Sequence, residues 1–147
     1  MFAPKNILVP TDFSEFSERA IGLAAEIAEL TNAKIHLLHV VDKLQQCVMD
    51  YCFPADEIQK IESGSIKEAA KKLREEVQKI VQSRKLDVTC DVKAGVSYEE
   101  ILKEQREKKA DLVVIASHGR TGIIKNLIGS VTERVVRGAT CPVLIAR

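Results

Sequence analysis

The chain has almost no excess charge: 22 Lys and Arg stand against 21 Asp and Glu, a formal net charge of +1 at pH 7. The two signs alternate instead of forming blocks, as on a solvated surface. Nothing in that balance asks for nucleic acid or an acidic membrane as partner. No window approaches the roughly 18 apolar residues of a membrane span. The N-terminus, Met1 to Phe13, lacks a basic region followed by a long apolar segment and a small-residue cleavage site, so the expected location is the cytoplasm. Cysteine is scarce, four residues in 147, too few for a disulfide scaffold, and a reducing compartment is the simpler fit. Cys47 and Cys52 read as free thiols, with metal binding the alternative. Cys90 and Cys141, in or beside apolar strands, read as small core fillers. His36, His39 and His118 are not grouped with carboxylates at metal-ligand spacing, so a structural zinc site has no support.

What is present is an ordinary apolar share, 46%, in a length that suits one domain, residues 1–147. Lys5 to Pro10 is a short apolar run and reads as a buried strand. Behind Ser14, a candidate N-cap, Phe16, Ala20, Leu23, Ala24, Ile27 and Leu30 recur at helical spacing. Ala33 to Val41 has little polar alternation, as in a parallel strand covered on both faces. Asp42 to Pro54 has no clean period and is expected to be a loop. Helical character resumes near Ala55. Ser65 to Glu68 fits a capping box, so a break or restart is expected at Ser63-Gly64. The helix then runs to about Ser83 with Ala69, Leu73, Val77, Ile80 and Val81 inward. Asp87 to Gly95 alternates like a half-exposed strand near a sheet edge. A second capping box, Ser97 to Glu100, opens a short surface helix. Asp111 to Ala116 reads as a central strand. A helix over Val131 to Arg137, with Gly138 as its C′ residue, leads to a terminal strand after Cys141. Arg134 and Arg137 are expected on that helix's solvent side. Strands alternating with helices predict a three-layer α/β/α, doubly wound, Rossmann-like domain with a five-stranded parallel sheet.

Such a sheet binds ligands beyond the carboxyl ends of its strands, near the point where strand order reverses. Three segments are expected to meet there: Val9 to Ser14, His39 to Val41, and Ile115 to Glu133. In the last, Gly119 and Gly122 permit a backbone turn whose N–H groups can form an anion nest. Gly129 precedes a helix start, where unpaired N–H groups can face a phosphate. Ser130 to Glu133 fits a capping box, so Ser130 Oγ serves either its helix or a ligand oxygen. Asp12 either accepts from a ribose hydroxyl and helps hold a phosphate-bound metal ion, or caps the following helix. His118 either donates to a phosphate or faces solvent. Arg120 and Lys125 can reach phosphates or simply be surface cations. Val40 or Val41 can offer backbone groups to a base edge. His39 shares parity with Ile35 and Leu37 and reads as a hydrogen-bonded core residue. The glycines fit neither familiar nucleotide motif. Gly129-Ser130 follows Ile128 and lacks the Walker lysine, and no glycine follows the first strand as a dinucleotide fingerprint needs.

With those segments in view, Ile7 to Ile21 and Ala110 to Arg147 resemble the opening and closing thirds of the universal stress protein family, and the likeness extends over the whole chain. The nucleotide-binding branch of that family carries Gly-x-x-Gly, nine residues, then Gly-Ser or Gly-Thr. Here Gly119 takes the second glycine, Arg120 to Ile128 are the nine, and Gly129-Ser130 closes the pattern. Ala116 stands where the first glycine belongs, a departure that adds a methyl group. The resemblance implies an adenine nucleotide alpha hydrolase-like fold and an adenine nucleotide, ATP, as ligand with Mg2+ or Mn2+. It implies Asp12 near ribose and metal, Pro10 and Thr11 beneath the nucleotide, Val40 beside adenine, and Val131 and Thr132 beside the phosphates. It also implies a homodimer through the last strand, Pro142, Val143, Leu144 and Ile145, whose apolar edge needs cover. The expected role is an ATP-binding stress sensor or signalling module. The alternatives are a slow Mg-dependent ATPase, for which His118 is the one candidate base, and a member that has lost nucleotide binding and acts through protein contacts.

Overall fold

The computed structural model describes residues 1–42, 54–119 and 127–147. Cys47, Cys52, Arg120, Gly122 and Lys125, and most of the expected loop before Pro54, lie outside them. In chain order the elements are β1 (Asn6–Pro10), α1 (Glu15–Thr31), β2 (Lys34–Asp42), α2 (Ala55–Ser83), β3 (Val88–Gly95), α3 (Ser97–Glu107), β4 (Leu112–Ala116), α4 (Ser130–Gly138) and β5 (Val143–Ala146). The five strands form one parallel sheet in the order β3-β2-β1-β4-β5. The chain builds outward from β1 to β2 and β3, then returns to the other side of β1 with β4. Strand order therefore reverses between β1 and β4.

Alternate strand residues serve two cores. Ile7, Val9, Ile35, Leu37 and Val114 face one way and pack with the buried residues of α1 and α2. Leu8, Leu38, Val113 and Ile115 face the other way and pack with Ile101 of α3 and Val135 of α4. Two apolar faces on one sheet, each covered by helices, make the three layers. Helix α1 presents Ala20, Ala24, Ala25 and Ala28 to the sheet, small side chains that let it lie close. The expected cap is present: Ser14 Oγ accepts the Ser17 N–H. Leu30 departs from expectation, being 86% exposed, because at 3.6 residues per turn it lies across the helix from Ala28. Val81 departs likewise, 48% exposed beside buried Ile80. As expected, β3 is a half-buried edge strand. The half-buried thiols of Cys90 and Cys141 each pack against one core.

The helix punctuation differs from the sequence reading in four places. Helix α2 runs unbroken for 29 residues through Ser63-Gly64. Ser63 Oγ bonds back to the Lys60 carbonyl, and Gly64 meets nothing a methyl would disturb. Ser97 and Ser130 are not caps. Val96 and Gly129 hold the cap positions without side-chain bonds, and each serine is already helical. Gly138 is the last residue of α4 and not its C′ residue. A β-carbon there would lie 2.5 Å from Leu102 Cδ1, so this glycine lets α4 approach α3. Arg134 and Arg137 are exposed as expected. Arg134 lies 4.7 Å from the Tyr98 ring centroid, and Arg137 pairs with Glu133 at 2.8 Å.

Helix α3 carries an unusual buried carboxyl. The Glu104 side chain is 2% exposed, with Lys93 Nζ and Lys108 Nζ each 3.9 Å from its oxygens. Burial, and then the neighbouring Asp91, push its pKa up to about 7. Burial is also the largest influence on Asp91 and pushes it upward, but Lys108, 3.0 Å away, the hydrogen bond with Glu104 and the charge of Lys93 together hold Asp91 below its ordinary value. Among the described residues, no helix is long and apolar enough to cross a membrane.

Candidate functional site

A cleft of about 250 Å3 opens at the carboxyl end of the sheet, where strand order reverses. The end of β1 supplies Pro10, Thr11 and Asp12, and β2 supplies Val40. The end of β4 and its loop supply Ala116, His118 and Gly119. The start of α4 supplies Gly129, Ser130, Val131 and Thr132. Of the two β2 candidates for the base edge, Val40 lines the cleft and Val41 does not; Arg120, Gly122 and Lys125 lie outside the described residues, and the other candidate site residues all line it. Sequence reading missed Ser17, Leu38, Ser97, Ile101 and Ile115, which line it too. Parity along β2 and β4 could have found Leu38 and Ile115. Nothing local marks Ser97 or Ile101.

The turn after β1 is held by its own polar groups. Thr11 is buried; its N–H donates to the Leu38 carbonyl at 2.8 Å, and its hydroxyl donates to Ser17 Oγ and accepts from the Phe13 N–H. Phe13 has a left-handed φ of 65°, which a residue with a β-carbon seldom adopts. The hydrogen bond from its N–H and the contact of its ring with His39, 4.4 Å between centroids, hold it there. His39 is half-buried, with Nδ1 2.8 Å from the Thr11 carbonyl oxygen. His39 therefore braces the turn from behind, while Thr11 lines the cleft itself. Asp12 Oδ1 accepts the Ser14 N–H at 3.0 Å, so this carboxylate orders the turn ahead of the helix while Ser14 does the capping.

Gly119 is explained by Asp12. A β-carbon at 119 would sit 2.6 Å from Asp12 Oδ2, well inside contact distance. The need is space for a carboxylate, and no left-handed backbone is involved. Gly129 also answers a close approach: its N–H donates to the Ser117 carbonyl at 2.8 Å, and a β-carbon would meet that oxygen at 3.3 Å. Thr132 Oγ1 donates to the Ala116 carbonyl at 2.8 Å, tying the first turn of α4 to the end of β4. Ala116 is buried within the core beneath α1, so its methyl packs on that side while the residue borders the cleft.

His118 is half-buried. Its Nδ1 lies 2.9 Å from Ser117 Oγ, and its Nε2 is buried with no hydrogen-bond partner among the described residues. An unpaired buried nitrogen beside a cleft is a place where a ligand can supply the missing bond. Below the Asp12 turn, burial, followed by the charge of Glu18, raises the pKa of Glu76 on α2. Among the described residues, no three His, Cys, Asp or Glu side chains converge to hold a metal ion. An ion beside Asp12 would thus draw most of its ligands from bound phosphates and water.

Compared with known families, residues 4–147 match the universal stress protein family. The chain belongs to that family. As a universal stress protein it is similar to Universal stress protein MJ0531 of Methanocaldococcus jannaschii, with 33% identity over 144 residues, 97% of this chain and 82% of that protein. The solved structure of MJ0577 from the same organism superposes with a TM-score of 0.77 at 30% identity, covering 97% of this chain and 94% of that one. A universal stress protein solved in complex with cAMP superposes with a TM-score of 0.70 at 27% identity, covering 99% and 98% of the two chains.

Proposed function

We propose that this universal stress protein is a single domain, residues 1–147, that binds an adenine nucleotide, ATP, in the cleft and acts in the cytoplasm as a stress sensor or signalling module. The observation that carries the reading is the pairing of Gly119 with Asp12, beside a helix start at Gly129-Ser130 that has no side-chain cap. Uncapped N–H groups with the positive end of a helix dipole suit phosphates. Asp12 suits ribose hydroxyls, and Val40 the base. His118 Nε2 can donate to a phosphate oxygen. Ser130, not being a cap, has its hydroxyl available to a ligand. Mg2+ or Mn2+ bound beside Asp12 would neutralise phosphate charge. A relative solved with cAMP supports an adenine nucleotide in this fold.

The same reading takes β5 as a homodimer surface. It lies at the sheet edge, and Leu144 is 36% exposed on it. The test of the nucleotide reading is mass spectrometry of small molecules released from natively purified protein, alongside Gly129→Leu. The wild type should release an adenine nucleotide. The variant, folded by circular dichroism, should release little. Wild-type protein that releases none, and takes up none from millimolar ATP, would overturn the reading.

A further inference from the structure

The cleft has two unlike walls. On the side of β4 and α4 stand Gly119, Ser130 and Thr132, with Asp12 between the walls. On the side of β2 and α3 stand Leu38, Val40 and Ile101. A nucleotide is amphipathic in the same sense, a polyanion at one end and a flat base at the other. The charged end belongs at the start of α4, which leaves the base against the apolar wall. Among the described residues, that wall carries one polar side chain, Ser97.

We infer that Ser97 hydrogen-bonds the edge of the bound base and so helps set which nucleoside the cleft accepts. The inference rests on the nucleotide reading above. The Ser97 hydroxyl is not spent on capping, because Val96 holds the cap position and Ser97 is already helical. Ser97 is half-buried, and Ile101 lies one turn further along the same face of α3. The far end of that helix is fastened to β3 by the Lys108–Asp91 pair at 3.0 Å and by buried Glu104. The hydroxyl therefore stands on a braced element, as a specificity contact requires. A site built to hydrogen-bond a ligand group discriminates against ligands that leave its own polar atom unpaired.

The test is calorimetric titration of wild type, Ser97→Ala, Ser97→Thr and Ser130→Ala with ATP, adenosine and 2′,3′-dideoxyadenosine. Loss of one neutral hydrogen bond should weaken Ser97→Ala about 3- to 10-fold for all three probes. Ser97→Thr, which keeps the hydroxyl, should retain wild-type affinity. Ser130→Ala should weaken ATP alone. Equal adenosine affinity in Ser97→Ala and wild type would overturn the inference. So would a loss that disappears with dideoxyadenosine, which would move the contact to the ribose. Wild-type protein that binds none of the probes would remove the nucleotide reading itself, an outcome distinct from either.

Discussion

At position 119 a single methyl group would lie 2.6 Å from Asp12 Oδ2. Gly119→Ala should therefore act through Asp12, pushing the carboxylate out of the cleft. ATP affinity should fall about as far as in Asp12→Ala, and the double variant should be little worse than either single one. Additive losses in a double-mutant cycle would show that the glycine acts separately. Ala116 is the converse case. It departs from the family's glycine pattern, yet its methyl packs in the core beneath α1. Ala116→Gly should thus leave ATP affinity unchanged and cost stability, as removal of a buried methyl from a strand does. A clear gain in affinity would mean that the methyl crowds the ligand. The sequence made Gly119 a candidate, but its reason was not legible there. The partner lies 107 residues away, and only the sheet order brings the two turns together.

Among the elements, α2 offers a simple test. Gly64 lies inside a continuous helix with nothing near its missing β-carbon. Gly64→Ala should stabilise the protein by roughly 0.5–1 kcal/mol in denaturant unfolding. Destabilisation would indicate a break at that point. Helix α3 predicts a pH dependence. Glu104 is raised to about 7 from an ordinary 4.5, so between those values the folded state holds a proton that the unfolded state has released. Its contribution is complete below about pH 4.5 and is lost as pH rises through about 7. Asp91 and Lys93 on β3 and Lys108, just past the end of α3, face it; Asp91, Lys108 and His36 on β2 are shifted as well and add slopes of their own, His36 being lowered by burial and then by Lys108 and Lys34. Glu104→Gln subtracts that background. The wild type should lose several degrees of melting temperature relative to Glu104→Gln between pH 5 and pH 8, on the order of 1–3 kcal/mol. Parallel melting curves across that range would refute the assignment. Helices as bodies were legible from apolar spacing, but their ends were less so. The Ser-x-x-Glu pattern occurs at Ser65, Ser97 and Ser130, and in each the serine is inside the helix. Four residues of sequence do not record where the preceding backbone leaves the extended region. Ser14 does cap its helix, at a point where Phe13, with its left-handed φ, interrupts the chain just before it.

For the whole molecule, the alternation of strands and helices was enough to predict the parallel three-layer architecture, since parallel neighbours require crossovers. The order β3-β2-β1-β4-β5 was not written in any segment, and with it went the placement of α3 against the cleft. That is why Ser97 and Ile101 escaped the sequence reading while Asp12 and Gly129 did not. The edge strand β5 carries the assembly prediction. Leu144→Lys should convert a dimer to a monomer in sedimentation equilibrium while leaving the melting profile cooperative. An unchanged mass would exclude β5 as the interface. The central claim, an adenine nucleotide in the cleft, is tested most directly by calorimetric titration of the wild-type protein with ATP and Mg2+. The account predicts saturable binding of one nucleotide per chain, with a dissociation constant below about 1 mM. Absence of saturable binding up to several times that concentration, about 5 mM, would contradict it.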